Sequence, residues 1–125
     1  MERALEVFAA LSDKTRLRTY RLLLKAGKDI AVCELIDALS ESQYNVSKHL
    51  QILKTAGMVK ETRKGRWVLY SVIESPEVEL AEPVLKMQEE IFKTDMERLK
   101  KRLSLRNGDD IVSCQLARQL MEVIK

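Results

Sequence analysis

Residues 31–73, AVCELIDALSESQYNVSKHLQILKTAGMVKETRKGRWVLYSVI, decide the fold. Cys33, Leu35, Ile36 and Leu39 are spaced as one apolar face of a short helix. Ser40-Glu41-Ser42 interrupts it, because serine hydroxyls compete for backbone hydrogen bonds and favour helix ends over interiors. Ser40 followed three residues later by Gln43 predicts a capping box that starts the next helix. In that helix Val46, Leu50 and Leu53 form an inward stripe. Ala56-Gly57 ends it, glycine being favoured at a left-handed helix terminus. Met58–Thr62 and Trp67–Val72, rich in β-branched and aromatic residues, predict two strands joined by Arg63-Lys64-Gly65-Arg66.

Helix, turn, helix and basic hairpin in this order describe a winged helix-turn-helix, which places its second helix in the major groove of DNA. Opposite the inward stripe that helix offers Gln43, Tyr44, Asn45, Ser47, Lys48 and Gln51. These side chains donate and accept toward base edges, whereas a face needing only solubility would carry more Glu and Lys. Gln43, Tyr44, Ser47 and Lys48 are the expected base contacts; Ser42, His49, Arg63, Lys64 and Arg66 are the expected phosphate contacts. Between Ser42 and Arg66 six Lys or Arg face one acid, Glu61, a local net charge of +5. A solvated charge run is the bland alternative, and its seating on a helix-turn-helix with a hairpin argues against it.

The rest of the chain agrees. At 125 residues it builds one modest domain. Residues 1–73 carry 13 basic and 8 acidic side chains and residues 74–125 carry 9 and 11, so the basic half is the expected DNA half. We divide it into a winged-helix part, 1–75, and a helical dimerisation segment, 76–125, within the same compact domain. No apolar run suits a membrane span, and the N-terminus lacks the apolar stretch of a secretion signal. A cytoplasmic protein with free thiols, Cys33 and Cys114, is expected. No His/acid cluster or Gly-rich phosphate loop suggests catalysis, so an enzyme is not expected.

The flanks predict further helices. Leu5, Phe8 and Leu11 share one face over residues 2–11, and Asp13 caps a helix at 14–26 that Gly27 stops. Beyond Ser75-Pro76 a stripe through Val78, Ala81, Leu85, Ile91, Phe92, Met96, Leu99 and Leu103 predicts a long helix, starting near 81 or kinked at Pro83. From 81 it forms a rod of about 35 Å, too long for so small a domain to cover, so its stripe and that of 5–11 are expected between two subunits. Asp109-Asp110 caps an additional helix, 111–124, with Cys114, Ala117, Leu120, Met121 and Ile124 on one face. The fold class is thus mainly α (α+β): a winged helix-turn-helix with a two-stranded wing, a long C-terminal dimerisation helix and an extra terminal helix.

The chain resembles the ArsR/SmtB family of winged-helix repressors that respond to metals or thiol-reactive ligands. Five motifs carry the likeness: Ala10-Leu11-Ser12-Asp13-x-Thr15-Arg16-Leu17, Val32-Cys33-Glu34-Leu35, Ser42-Gln43-x-x-Val46-Ser47-x-His49-Leu50, Ala56-Gly57-x-Val59 and Gly65-Arg66-Trp67-x-x-Tyr70. They span roughly residues 5–73; Lys14 stands where the family often has Pro. The resemblance implies a homodimer built on the first and the long C-terminal helices. It also implies binding to a pseudo-palindromic double-stranded operator, with no membrane partner.

The family's zinc site on the long helix needs Asp and His, but residues 81–107 contain no His and His49 is the only one in the chain. Cys33 matches the second Cys of the family's Cys-Val-Cys-Asp-Leu arsenite motif, whose first Cys is Ala31 here. A three-thiolate site therefore cannot form from that helix, which leaves Cys33 with Cys114, from one subunit or two, as the thiol effector site. Its ligand would be arsenite or another soft, thiophilic metal, or an oxidant, acting as effector and not as a catalytic cofactor. An effector is expected to favour a dimer geometry that no longer matches the groove spacing. Rival readings are a winged-helix protein-interaction module, a constitutive DNA-binding protein without a thiol effector, and a thiol redox protein.

Overall fold

In the computed structural model, residues 1–79, 82–87 and 89–123 are described. Helix α1 (Glu2–Leu11) leads into α2 (Lys14–Ala26), which starts where sequence logic puts it. The Asp13 carboxylate accepts the Arg16 backbone N–H at 3.1 Å, and Gly27, at φ 62°, ends the helix in the left-handed region. Strand β1 (Ile30–Ala31), α3 (Val32–Leu39), α4 (Gln43–Thr55), β2 (Val59–Lys64) and β3 (Trp67–Val72) follow.

The predicted capping box at Ser40 does not form. Ser40 instead ends α3 with a φ of 54°, its N–H still bonded to the Ile36 carbonyl, and Ser42 caps α4 by accepting the Asn45 N–H at 3.1 Å. A residue that closes one helix in the left-handed region cannot also open the next from extended backbone, so the cap moves two residues on.

The hairpin is tighter than its composition suggested. Val59 pairs with Val72 and Lys64 with Trp67, so the turn is the two residues Gly65-Arg66, while Arg63 and Lys64 lie within β2. Gly65 has φ 60°, as tight hairpin turns require. Among the described residues the two strands of the wing are joined by a third, in the order β1-β3-β2, because Ile30 pairs with Tyr70 and Ala31 with Leu69. Two residues are too few to show a period-two pattern, so β1 leaves no signal in the sequence.

The C-terminal region departs most from expectation. Among the described residues the expected rod of about 35 Å is interrupted at 86–87 and 89: α5 (Pro76–Glu79) and α6 (Glu82–Leu85) precede the break and α7 covers Glu90–Leu103. An isolated turn fixes several dihedrals for one hydrogen bond, and α6 stops at Leu85, with Lys86 in a turn and Met87 outside any helix. Helix α8 spans Cys114–Val123 instead of 111–124, and the Ser113 hydroxyl accepts the Leu116 N–H at its start. Asp110 is engaged elsewhere, in a backbone bridge with Asn107 around Gly108. Ala81 and Ile124 of the predicted stripes lie outside the described residues.

The core gathers Tyr20, Leu22, Leu23, Leu35, Leu39, Leu50, Leu53, Met58 and Leu99, all fully buried. Leu99 corrects the expectation that the α7 stripe is covered only by a second subunit: α7 packs against α3 and α2 of its own chain. Its inward line is Phe92, Asp95, Leu99 and Arg102, so two charged residues enter the core with the apolar ones. On α1, by contrast, Val7 and Ala10 face inward while Leu5 and Phe8 stand 61% and 48% exposed.

Candidate nucleic-acid interface and thiol cleft

Helix α4 is fastened along one side by Val46, Leu50 and Leu53, all fully buried. At its end, the Arg3 guanidinium from α1 donates to the carbonyls of Ala56 and Gly57. Gln43, Tyr44, Ser47, Lys48 and Gln51 are consequently exposed on the other side, Tyr44 by 75%. Lys48 Nζ lies 5.9 Å from the Tyr44 ring centroid, within cation–π range. Asn45 is half-buried, and its amide donates to Glu41 at 3.3 Å. Ser42 is exposed at the N-terminus of α4, where free backbone N–H groups favour an anion.

Of the expected phosphate contacts His49 is displaced. It is 7% exposed and turned into the protein, where Nδ1 lies 3.3 Å from an Arg16 guanidinium nitrogen and Nε2 3.7 Å from Asp13. Burial lowers its pKa, against the opposing pull of Asp13, so the ring is held neutral. Nδ1 then accepts from Arg16 and the proton sits on Nε2, facing Asp13. This ring ties α4 to the start of α2. The helical period puts His49 beside Leu50 and Leu53, a position the basic setting of the segment disguised.

The three wing cations expected to meet phosphate lie outside. Arg63, Lys64 and Arg66 are exposed, and the Arg66 guanidinium stacks 4.6 Å from the centroid of Trp67. Lys54 is committed to Glu61 of β2, with Nζ 2.6 Å from the carboxylate, which joins the end of α4 to the wing.

Cys33 and Cys114, 81 residues apart in sequence, meet within one chain: the Cys114 thiol donates to the Cys33 carbonyl at 3.3 Å. Burial, with the Cys114 thiol beside it, pushes the Cys33 thiol up to about 12, while the Arg102 guanidinium pulls the other way. An Arg102 amino nitrogen lies 3.7 Å from Cys33 Sγ. The two thiols border a cleft together with Gln43, Ser47 and Arg66. Among the described residues no group of three or more His, Cys, Asp or Glu could hold a metal ion.

Sequence logic missed the charges that hold this arrangement. Arg18 of α2 forks onto Asp95 of α7 at 2.9 and 2.7 Å and donates to the Leu39 carbonyl. The fully buried Arg102 pairs with Asp37 at 2.6 Å and donates to the Val112 carbonyl, next to α8. Arg106 forks onto the buried Glu34, which also accepts the Ala31 N–H at 3.0 Å. The available signal was a charge standing on an inward stripe, Asp95 and Arg102 flanking Leu99.

Residues 13–61 match a family described as bacterial regulatory protein, arsR family. An HTH-type transcriptional regulator of Methanocaldococcus jannaschii is 42% identical over 73 residues, which are 58% of this chain and 81% of that one. The chain belongs to the arsR family. The arsenic resistance transcriptional regulator ArsR2 of Pseudomonas putida is 45% identical over 52% of this chain, and the match spans 56% of that regulator, less than two thirds. Among solved structures, reduced HlyU from Vibrio cholerae superposes with a TM-score of 0.59 at 25% identity, covering 69% of this chain and 92% of that one. This arsR-family chain is accordingly a DNA-binding transcriptional regulator with the winged-helix fold, and among its described residues no helix is long and apolar enough to cross a membrane.

Proposed function

We propose that this regulator is a cytoplasmic homodimeric repressor whose α4 enters the major groove of each half of a pseudo-palindromic operator. In this reading residues 1–75 bind DNA and 76–125 complete the dimer. A thiophilic ligand, arsenite or another soft metal, or an oxidant, releases the protein by reacting at Cys33 and Cys114. The observation that carries the reading is the exposed face of Gln43, Tyr44, Ser47 and Lys48 flanked by the basic wing, with two thiols meeting behind it. Half-sites would lie about 10 bp or a multiple apart. Arsenic-resistance relatives such as the Pseudomonas putida regulator support the effector class.

The test is fluorescence anisotropy of a labelled duplex taken from upstream of the protein's own gene. Binding that weakens steeply with salt, and is reversed by arsenite in the wild type but not in a Cys33→Ser, Cys114→Ser double variant, is expected. Equal release of both proteins removes the thiols from the mechanism, and absence of duplex binding at low salt defeats the reading as a whole.

A further inference from the structure

The thiol pair and the DNA-facing helix share one cleft. Cys33 lies in the first turn of α3 and Cys114 opens α8, and the space they border, about 420 Å³, is also bordered by Gln43 and Ser47 of α4 and by Arg66 and Trp67 of the wing. Both thiols are half-buried, whereas Gln43, Ser47 and Arg66 are exposed, so the latter form the mouth and the thiols the floor. Gln43 and Ser47 stand one helical turn apart. Arg66 is braced over the Trp67 ring, which holds the wing side of the mouth in place.

These mouth residues are the ones through which the regulator would touch its operator. A winged-helix module seated on a duplex buries roughly 600–1,000 Å² of its surface, centred on the recognition helix, so the duplex would lie across the opening. We propose that DNA and the thiol-binding effector compete directly for this cleft: the effector reaches Cys33 and Cys114 only in the DNA-free protein, and once there it fills the space between recognition helix and wing that the duplex must cover. The inference rests on the reading of α4 as the base-contacting helix. It replaces a relay through dimer geometry with steric exclusion inside each subunit. The distinction is thermodynamic as well as structural, because a relay through two states permits a ternary complex of finite stability, whereas exclusion permits none.

With a trivalent aryl arsenical as effector the chemistry closes without a redox partner. Two arsenic–sulfur bonds form, the arsenic–oxygen bond of phenylarsine oxide breaks, and both thiol protons leave with that oxygen as water.

The experiment uses the full chain and a labelled duplex in stopped flow. The rate of duplex dissociation is measured into unlabelled competitor at rising phenylarsine oxide, and the rate of cysteine alkylation by iodoacetamide is measured with and without saturating duplex. Exclusion predicts a dissociation rate unchanged over about a hundredfold range of arsenical, with alkylation slowed at least about tenfold by duplex and restored by salt that releases it. A dissociation rate that climbs with arsenical, or thiols alkylated equally fast in the DNA-bound protein, overturns the proposal while leaving the regulator reading intact. A free protein that takes up no arsenical at its thiols overturns both the effector reading and the competition. Failure to bind duplex at low salt overturns the DNA reading itself, and this inference with it.

Discussion

His49 illustrates how one side chain's role is set by the face it falls on. It sits in the segment richest in cations, yet it is buried between Arg16 and Asp13 and held neutral. His49→Ala should therefore cost about 1–3 kcal/mol of stability, as removal of a buried hydrogen-bonded group does, and leave the salt slope of duplex binding unchanged. The pH dependence has a definite sign. A histidine whose pKa is lower folded than unfolded binds its proton more readily in the unfolded chain. Its contribution is intact above 6.5, the ordinary value, and is lost as pH falls through and below it. Urea unfolding between pH 7.5 and 5 should show wild-type stability falling more steeply than that of His49→Gln. A smaller salt slope for either variant would return His49 to the phosphate-binding set.

At the scale of the element, the wing and the recognition helix should separate cleanly in a binding experiment. Arg63→Ala, Lys64→Ala and Arg66→Ala together remove exposed cations from the wing. Affinity should drop alike for operator and random duplex, and the slope of log K against log salt should shrink by about 0.9 for each phosphate no longer neutralised. Gln43→Ala should instead weaken operator binding by about 1–3 kcal/mol with random duplex nearly unaffected. A triple variant that loses only operator affinity would make the wing a reader of sequence. Helix α7 offers a different test, because its attachment is electrostatic as well as apolar. Asp95 is 1% exposed and forks onto Arg18, itself 8% exposed. Asp95→Ala takes the two-pronged acceptor from a buried guanidinium and leaves it Glu41 at 3.6 Å and the Leu39 carbonyl. It should therefore cost somewhat less than the ~3–5 kcal/mol of a fully stranded charge in thermal or urea unfolding, with Asp95→Asn, which keeps an acceptor, costing less again. A loss under about 1 kcal/mol would mean that Glu41 or water satisfies Arg18 and that the fork holds little.

For the whole molecule the question is which apolar surface belongs to one chain and which to two. Leu99 is fully buried within a single chain, whereas Leu5 and Phe8 of α1 and Leu116 and Leu120 of α8 are exposed. Clustered exposed apolar side chains of this size mark interaction surfaces. Sedimentation at micromolar protein should show a dimer, and Leu5→Glu with Phe8→Glu should yield a folded monomer with weakened operator binding. Leu99→Glu should unfold the chain outright, since it puts an unpaired carboxylate in the core. A wild-type monomer, or a dimer indifferent to the α1 charges, would place the assembly surface elsewhere.

Local sequence was enough for the order of helices α1 to α4 and strands β2 and β3, for the exposed face of α4 and for the basic wing. Each is a local matter, written in helical spacing, in a glycine such as Gly27 or Gly57 at a left-handed terminus, and in charge density within a few residues. Packing in three dimensions was needed to show that β1 joins the sheet, that the helical stripe is interrupted between Leu85 and Glu90 and that α7 is covered by its own chain. Only there do Arg18 and Asp95 pair, and only there does Cys33 meet Cys114 at a cleft also lined by Gln43 and Arg66. The reason is range. A periodic stripe states that a face is buried but not by what, and pairing across 77 or 81 residues depends on where the packed core brings two helices together.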